Sequence, residues 1–394
     1  MDKHLKSFLV AMIAVSVVSD SMLIPFYPQF FAAVFSVTDP QHIGLYLSAV
    51  CFTVMLAFPV WAAAAKQVPV LRLLIYTQFA AGILSIGCYG AGSVSEFWLL
   101  SLLMQIFKAS YLLIYPYVMS LEHKDKHGGT IGLLSVIAHL VAILGAGIGG
   151  FVLQLLEPRL AFLLMSAGDF LQMFVCFFLL GKDKAAAPVQ TAHPQNRPEH
   201  KTAVLTGWPV YKLGLIMFLF YFSVYLVRPF FSRYWESISA WNGEIISGLV
   251  FAIPGVMALL ALCINKNMGG KQRIIRAALL GAAGLLLQAS GQQEWVLLGR
   301  CVFGWALFHA TVHLDLLLFA ISTPASYAAD FSKIYFFQSL GALVASFIAG
   351  SIVAAYGLST PFIAGALGLA LTALLFSLLF KAKIKSMHAV IEAS

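Results

Sequence analysis

The sequence predicts an all-α membrane protein of twelve transmembrane helices in two pseudo-symmetric six-helix bundles. Three observations carry this expectation. Of its 394 residues, 61% are hydrophobic and only 10% are charged, whereas a soluble domain keeps roughly 25% charged. With a mean hydropathy of +0.90, no soluble core hides this much apolar sequence. The apolar runs are each about 20 residues long, enough to cross a bilayer. Lys and Arg gather in alternate breaks between them.

The spans follow in order. The first, 7–34, comes after Lys3 and Lys6. It is too long for a signal peptide, lacks a small-residue cleavage site and carries Asp20, so it reads as a retained span. Five more are placed at 43–65, 70–91, 96–121, 129–154 and 159–181. Charge and proline then break the pattern in "KDKAAAPVQTAHPQNRPEHKTAVLTG", which has no apolar period and reads as a linker over 182–209. Six further spans occupy 210–236, 244–264, 272–291, 294–320, 329–356 and 360–381. The expected organisation is an N-terminal bundle, 1–181, the linker, and a C-terminal bundle, 210–394.

Lys66 and Arg72, Lys124 and Lys126, Lys266 to Arg276 and Lys381 to Lys385 all fall on the side of the N-terminus, against Arg159 and Arg233 on the other. That bias places both termini and the linker in the cytoplasm, in a bacterial inner membrane. It also accounts for the net charge of +8 as a cytoplasmic collar on the bilayer, so no nucleic-acid partner is expected. Cys51, Cys88, Cys176, Cys263 and Cys301 are scattered through apolar runs without ligand spacing, which predicts neither disulfides nor a metal site. There is no phosphate loop, catalytic triad or CxxC. The chain is therefore not expected to be an enzyme or to need a cofactor, and its energy source would be an ion gradient.

The halves echo each other. Pro25-Phe26-Tyr27 returns as Pro229-Phe230-Phe231, and Gly44 and Arg72 return at the same offset as Gly248 and Arg276. Gly150 and Phe162 find Gly350 and Phe362. Duplicated six-helix units of this kind build a transport site at the repeat interface.

Twelve spans, a central linker and repeated halves resemble the major facilitator superfamily over nearly the whole chain. The family's loop between spans two and three appears as "AAAAKQVPVLR", which keeps Lys66 and Arg72 but has Ala65 where an acid is expected. Gln105 and Ala109 stand where span four often has arginine and glycine, while Arg300 and Gly304 show that pair in span ten. In span five, "GAGIGG" places Gly145, Gly149 and Gly150 in register with an exporter signature, with Ala146 replacing its proline. The resemblance implies a close helix contact that favours efflux; the alternative is simple small-residue packing. As a whole the chain also resembles exporters of hydroxycarboxylate siderophores such as vibrioferrin.

Charges inside spans normally face a cavity or a partner. Asp20, Lys108, Asp169, Arg228, Arg300 and Asp315 are such residues. At about 1.5 Å per residue, Asp20 and Lys108 lie roughly 20 Å deep, near the bilayer midplane. On helical faces, Asp20 aligns with Tyr27, Lys108 with Tyr111 and Tyr115, Tyr221 with Tyr225, Arg228 and Ser232, and Trp305 with His309 and His313. The resemblance puts spans one, four, seven and ten around a central cavity. Lys108 and Arg228 suit a small anionic substrate, Arg228 by bidentate contact, with the tyrosines, Trp305 and His309 completing the lining. Salt bridges to Asp20 and Asp315 are the structural alternative for the two cations. Asp20, and next Asp315, are the expected proton carriers, because alternating access changes a carboxyl's solvation. His309 and His313 lack an acidic third ligand on their face, so no metal is expected. Asp169 is expected to be a hydrogen-bonded structural acid, and Arg300 a gate contact or interfacial anchor. The resulting expectation is a monomeric, proton-coupled exporter of a small anionic or amphipathic metabolite such as a carboxylate siderophore. The alternatives are a multidrug/proton antiporter and a proton-coupled organic-acid importer.

Overall fold

A computed structural model describes residues 3–114, 117–118, 127–182, 207–241, 243–264, 271–322 and 327–380. Most of the expected linker, 182–209, falls outside them. The elements are α1 (Lys3–Met22), α2 (Tyr27–Phe35), α3 (Pro40–Ala64), α4 (Val70–Gly90), α5 (Val94–Lys108), α6 (His127–Leu155) and α7 (Leu160–Lys182), followed by α8 (Gly207–Tyr225), α9 (Phe231–Ile238), α10 (Glu244–Ile264), α11 (Lys271–Gln288), α12 (Gln293–Ile321), α13 (Tyr327–Tyr356) and α14 (Thr360–Leu379). No strand occurs among the described residues.

Among those residues nine helices are long and apolar enough to cross a membrane, and two shorter apolar stretches, Leu140–Leu155 and Pro209–Tyr225, accompany them. With α11 they make up the twelve spans, because α1 with α2, and α8 with α9, are each one span broken in two. Both breaks sit at the repeated prolines. After Met22 the chain tightens into a 3-10 turn, Ile24–Phe26, before α2, and after Tyr225 it turns over 226–230 before α9. Proline has no N–H for the helical ladder and its ring crowds the preceding turn. Pro25 and Pro229 thus break equivalent helices at equivalent places.

Short connections are fixed by capping. Asp39 accepts from the backbone N–H of Gln41 at 3.0 Å and of His42 at 3.3 Å, with Pro40 opening α3. Ser93 caps Glu96 at 3.2 Å, while the Glu96 carboxylate accepts from Gly92 N–H at 2.8 Å. Ser36, at φ 57°, closes α2 in the left-handed region.

The six helices of each half share buried clusters, and two helix pairs cross between the halves: α3 with α13, and α6 with α10. The crossings are tight at the end of the molecule bearing the short 36–39, 156–159 and 239–243 connections, hereafter the short-loop end. A Cβ on Gly44 would lie 2.9 Å from the Gly350 Cα. Gln154 Oε1 accepts from Ile245 N–H at 3.0 Å. Large apolar side chains such as Leu56, Phe177 and Leu367 stand exposed on the outside of the bundle, as lipid requires.

Candidate functional site

Tyr221 and Tyr225 stand one turn apart on α8, their rings stacked at 6.1 Å and 30°. The helix stops there because Pro229 disfavours helical backbone at Arg228. The chain turns, and the Arg228 guanidinium carbon lies over the Tyr225 ring, 4.5 Å from its centre. Arg228 is half-buried and, among the described residues, forms no ion pair. Asp315 on α12 is likewise half-buried and in no ion pair among those residues. Tyr221 lies in the electrostatic field of Asp315, Tyr225, Arg228 and Tyr335. Cys51 of α3 lies within electrostatic reach of Arg228, and Tyr335 of α13 packs on Phe58 of α3 at 5.8 Å. Helices α8, α12, α13 and α3, drawn from both halves, therefore converge on one aromatic, charged cluster. It offers a guanidinium, a carboxyl and stacked phenol faces.

On α12, Trp305 packs against His309 at 5.1 Å and His309 against His313 at 6.1 Å. The His313 Nδ1 is 2.6 Å from the His309 carbonyl oxygen, so the helix's own backbone holds that ring. No three His, Cys, Asp or Glu side chains converge as a metal site among the described residues.

The break in the seventh span divides its expected stripe. Tyr221, Tyr225 and Arg228 stay together, but Ser232 restarts in α9 and is buried against Ser247, hydroxyl to hydroxyl, at 2.6 Å. Tyr27 departs from the Asp20 face in the same way, because the 3-10 turn interrupts the helical period. Its ring is buried 5.3 Å from Tyr46 in an aromatic cluster with Phe30, Phe31 and Phe97. Asp20 lies on α1, and its side chain, like Tyr115, lies outside what is described. Tyr111 lies in the 3-10 turn Ala109–Leu113, half-buried against the α4–α7 packing.

Lys108 is 3% exposed, and its ammonium sits 3.6 Å from Asp169 Oδ1 of α7. Ser85 of α4 donates to Asp169 Oδ2 at 3.2 Å, and Ser16 of α1 donates to Gln172 Oε1 at 2.7 Å one turn further along α7. The Lys108–Asp169 pair thus lies inside the first half, α1–α7, where two buried charges need each other. Sequence reading had no signal for this pairing, since α5 and α7 are not chain neighbours.

Arg300, expected as a gate contact or interfacial anchor, lies inside the second half. It is buried, donates from Nε to the Val250 carbonyl at 3.2 Å and from Nη2 to the Phe251 carbonyl, and stacks on Phe231 at 4.1 Å. Its partner Gly304 packs on Pro254.

The "GAGIGG" glycines face two different neighbours. A Cβ on Gly145 would meet Ser21 and one on Gly149 the Met22 carbonyl, both of α1, whereas one on Gly150 would meet the Glu244 carbonyl of α10. The stripe therefore joins α6 both to its own half and to the opposite half.

Residues 9–287 match the family profile described as Major Facilitator Superfamily. The chain is 23% identical over 375 residues to the multi-drug resistance efflux pump PmrA of Streptococcus pneumoniae, covering 93% of this chain and 94% of that one. It is 23% identical over 361 residues to the multidrug resistance protein MdtG of Escherichia coli, covering 87% and 86% of the two chains. The crystal structure of the nucleoside transporter NupG superposes with a TM-score of 0.73 at 13% identity, covering 97% of this chain and 100% of that one.

Proposed function

Because the chain belongs to the Major Facilitator Superfamily, a family of non-enzymatic membrane transporters, we propose that it is a proton-coupled exporter of a small amphipathic anion, such as a carboxylate siderophore. One observation carries the substrate class. Arg228, in no ion pair among the described residues, lies over Tyr225 in a cluster that both halves line. A guanidinium binds a carboxylate through paired N–H donors, and the tyrosine faces hold the apolar part of the same molecule. Lys108, paired with Asp169, serves that site less directly than Arg228. Asp315, in the field of the same Tyr221, exchanges a proton for the anion in this reading. The two bundles, 1–181 and 210–394, rock about this cluster. The linker and both termini face the cytoplasm of a bacterial inner membrane, so the closed short-loop end faces outward and the protein opens inward to load its cargo. A monomer contains the whole path.

A second reading is favoured by the similarity to PmrA and MdtG, both described as multidrug efflux proteins. In that reading Asp315 and the tyrosines hold a lipophilic cation. Deletion of the gene separates the two. Under the anion reading, a carboxylated metabolite accumulates in the cytosol and is depleted from the medium, the wild-type chain reverses this, and Arg228→Ala does not. Unchanged metabolites with raised sensitivity to lipophilic cations would replace the anion reading with the multidrug one.

A further inference from the structure

The broken spans meet across the halves through one polar contact. Gln29, in α2 just past the Pro25 break, donates from Nε2 to Glu236 Oε1 at 3.1 Å. Glu236 belongs to α9, just past the Pro229 break. Gln29 is 7% exposed, and its amide oxygen is buried with no hydrogen-bond partner. An unpaired buried carbonyl is unfavourable by about 1–3 kcal/mol, so the closed interface carries half of a hydrogen-bonding pattern.

The missing half is a proton. A carboxylic acid and a primary amide form a ring of two hydrogen bonds: amide N–H to acid C=O, and acid O–H to amide C=O. The first is present. The second needs a proton on the other carboxyl oxygen, Oε2, and rotation about the soft terminal torsion of Glu236 to bring it to the amide oxygen. Among the described residues, four groups face Glu236. Gln29 comes from α2, Glu244 from the start of α10, and Arg233 and Ser232 from its own helix. The Glu244 carboxylate favours the added proton, and Arg233, which is exposed, opposes it from solvent.

We propose that Glu236 is a proton-binding site of the short-loop gate, taking up a proton to complete an acid–amide ring with Gln29 when the halves close there and releasing it when they part. Parting exposes Glu236 to water, where the ionised form is favoured. The site is separate from Asp20 and Asp315, and it gives closure at this end its own proton dependence. The proposal deepens the exporter reading, yet its test needs no substrate, so failure of export and failure of the ring give different results.

The experiment uses the full chain in detergent micelles with Cys263 replaced by serine and spin labels on Thr38→Cys and Ala240→Cys, two exposed short-loop positions on opposite halves. Distances between the labels are measured in alkaline and acidic buffer. Acid should enrich the short distance. Glu236→Gln, whose amide makes the same two-bond ring without titrating, should give the short distance at both pH values. Gln29→Leu should lose the pH response while remaining monodisperse. A parent protein whose distances ignore pH overturns the proposal, as does Glu236→Gln that still responds to pH or opens. If Glu236→Gln does not fold, the comparison of parent with Gln29→Leu decides alone: a pH response retained without the amide refutes the ring.

Discussion

Arg300 Nε lies 3.2 Å from the carbonyl oxygen of Val250, the acceptor that Pro254, four residues on, deprives of its helical N–H. A second donor reaches the Phe251 carbonyl. A side chain of α12 thus repairs the kink in α10, the helix that packs on α6 across the halves. Arg300→Met should destabilise the protein by about 1–3 kcal/mol for each carbonyl stranded. Pro254→Ala supplies the helical N–H that the Val250 carbonyl lacks and should recover part of that loss when combined with Arg300→Met. Thermal unfolding in detergent of the two single variants and the double variant reads the coupling. Strictly additive losses would show that Arg300 stabilises something other than the kink.

The span pattern was legible because each crossing ends at charge, proline or glycine, and a bilayer fixes its length. The repeated Pro25 and Pro229 carried the signal for the two breaks, since proline acts on its own helix, but the spans 7–34 and 210–236 each read as unbroken. Faces that run through a break were not legible. The helical period links Asp20 to Tyr27 and Arg228 to Ser232 on paper, but the turns at 24–26 and 226–230 reset the phase. Pairings between distant spans were also hidden. Nothing near Lys108 in sequence indicates Asp169, and nothing near Arg300 indicates Pro254. The cluster of Tyr221, Tyr225 and Arg228 could be read because all three lie within eight residues of one another, whereas Tyr335, Phe58 and Cys51 join it only through packing.

Gly149 and Gly150 are adjacent but serve different contacts, and substitution should separate them. A methyl on Gly149 meets the Met22 carbonyl within its own half, and one on Gly150 meets Glu244 of the other half. Gly149→Leu should lower the melting temperature and leave cargo inside cells, because the α1–α6 approach admits no large side chain. Gly150→Ala should leave the melting temperature nearly unchanged while shifting the short-loop end toward the open state, read as increased labelling of cysteines placed there. Identical behaviour of the two variants would remove the distinction.

Lys108 and Asp169 should behave as a unit. Removing one buried partner strands the other charge, at about 3–5 kcal/mol. Lys108→Met should therefore destabilise strongly, and Lys108→Met with Asp169→Leu should recover most of the stability. The double variant also tests whether Lys108 touches the cargo. A stable double variant that binds normally assigns Lys108 to the scaffold, and a stable one that does not bind assigns it to the site.

Proton exchange against an anion requires a carboxyl that senses the anion's site. Asp315 meets this requirement through Tyr221, which also lies in the field of Arg228. An ionised Asp315 repels an anion at Arg228, while a protonated one does not, so cargo and proton favour each other's binding at this cluster. Exchange in opposite directions therefore requires that the doubly loaded protein not reorient, so that the anion alone is carried outward and the proton alone inward. Asp315→Asn imitates the protonated acid. It should bind the anion as tightly as the parent or more tightly, and at a binding affinity that no longer varies with pH. Transport by reconstituted vesicles should lose its response to a pH gradient, while counterflow of labelled against unlabelled cargo continues. Asp20→Asn serves as the comparison, because Asp20 lies on α1, in the first half. If it alone abolishes the gradient response and leaves the pH dependence of binding untouched, the proton travels through the first half and Asp315 acts only on cargo affinity. If neither variant alters the gradient response, the coupling acid lies elsewhere, and Glu236 at the gate is then the carboxyl to test.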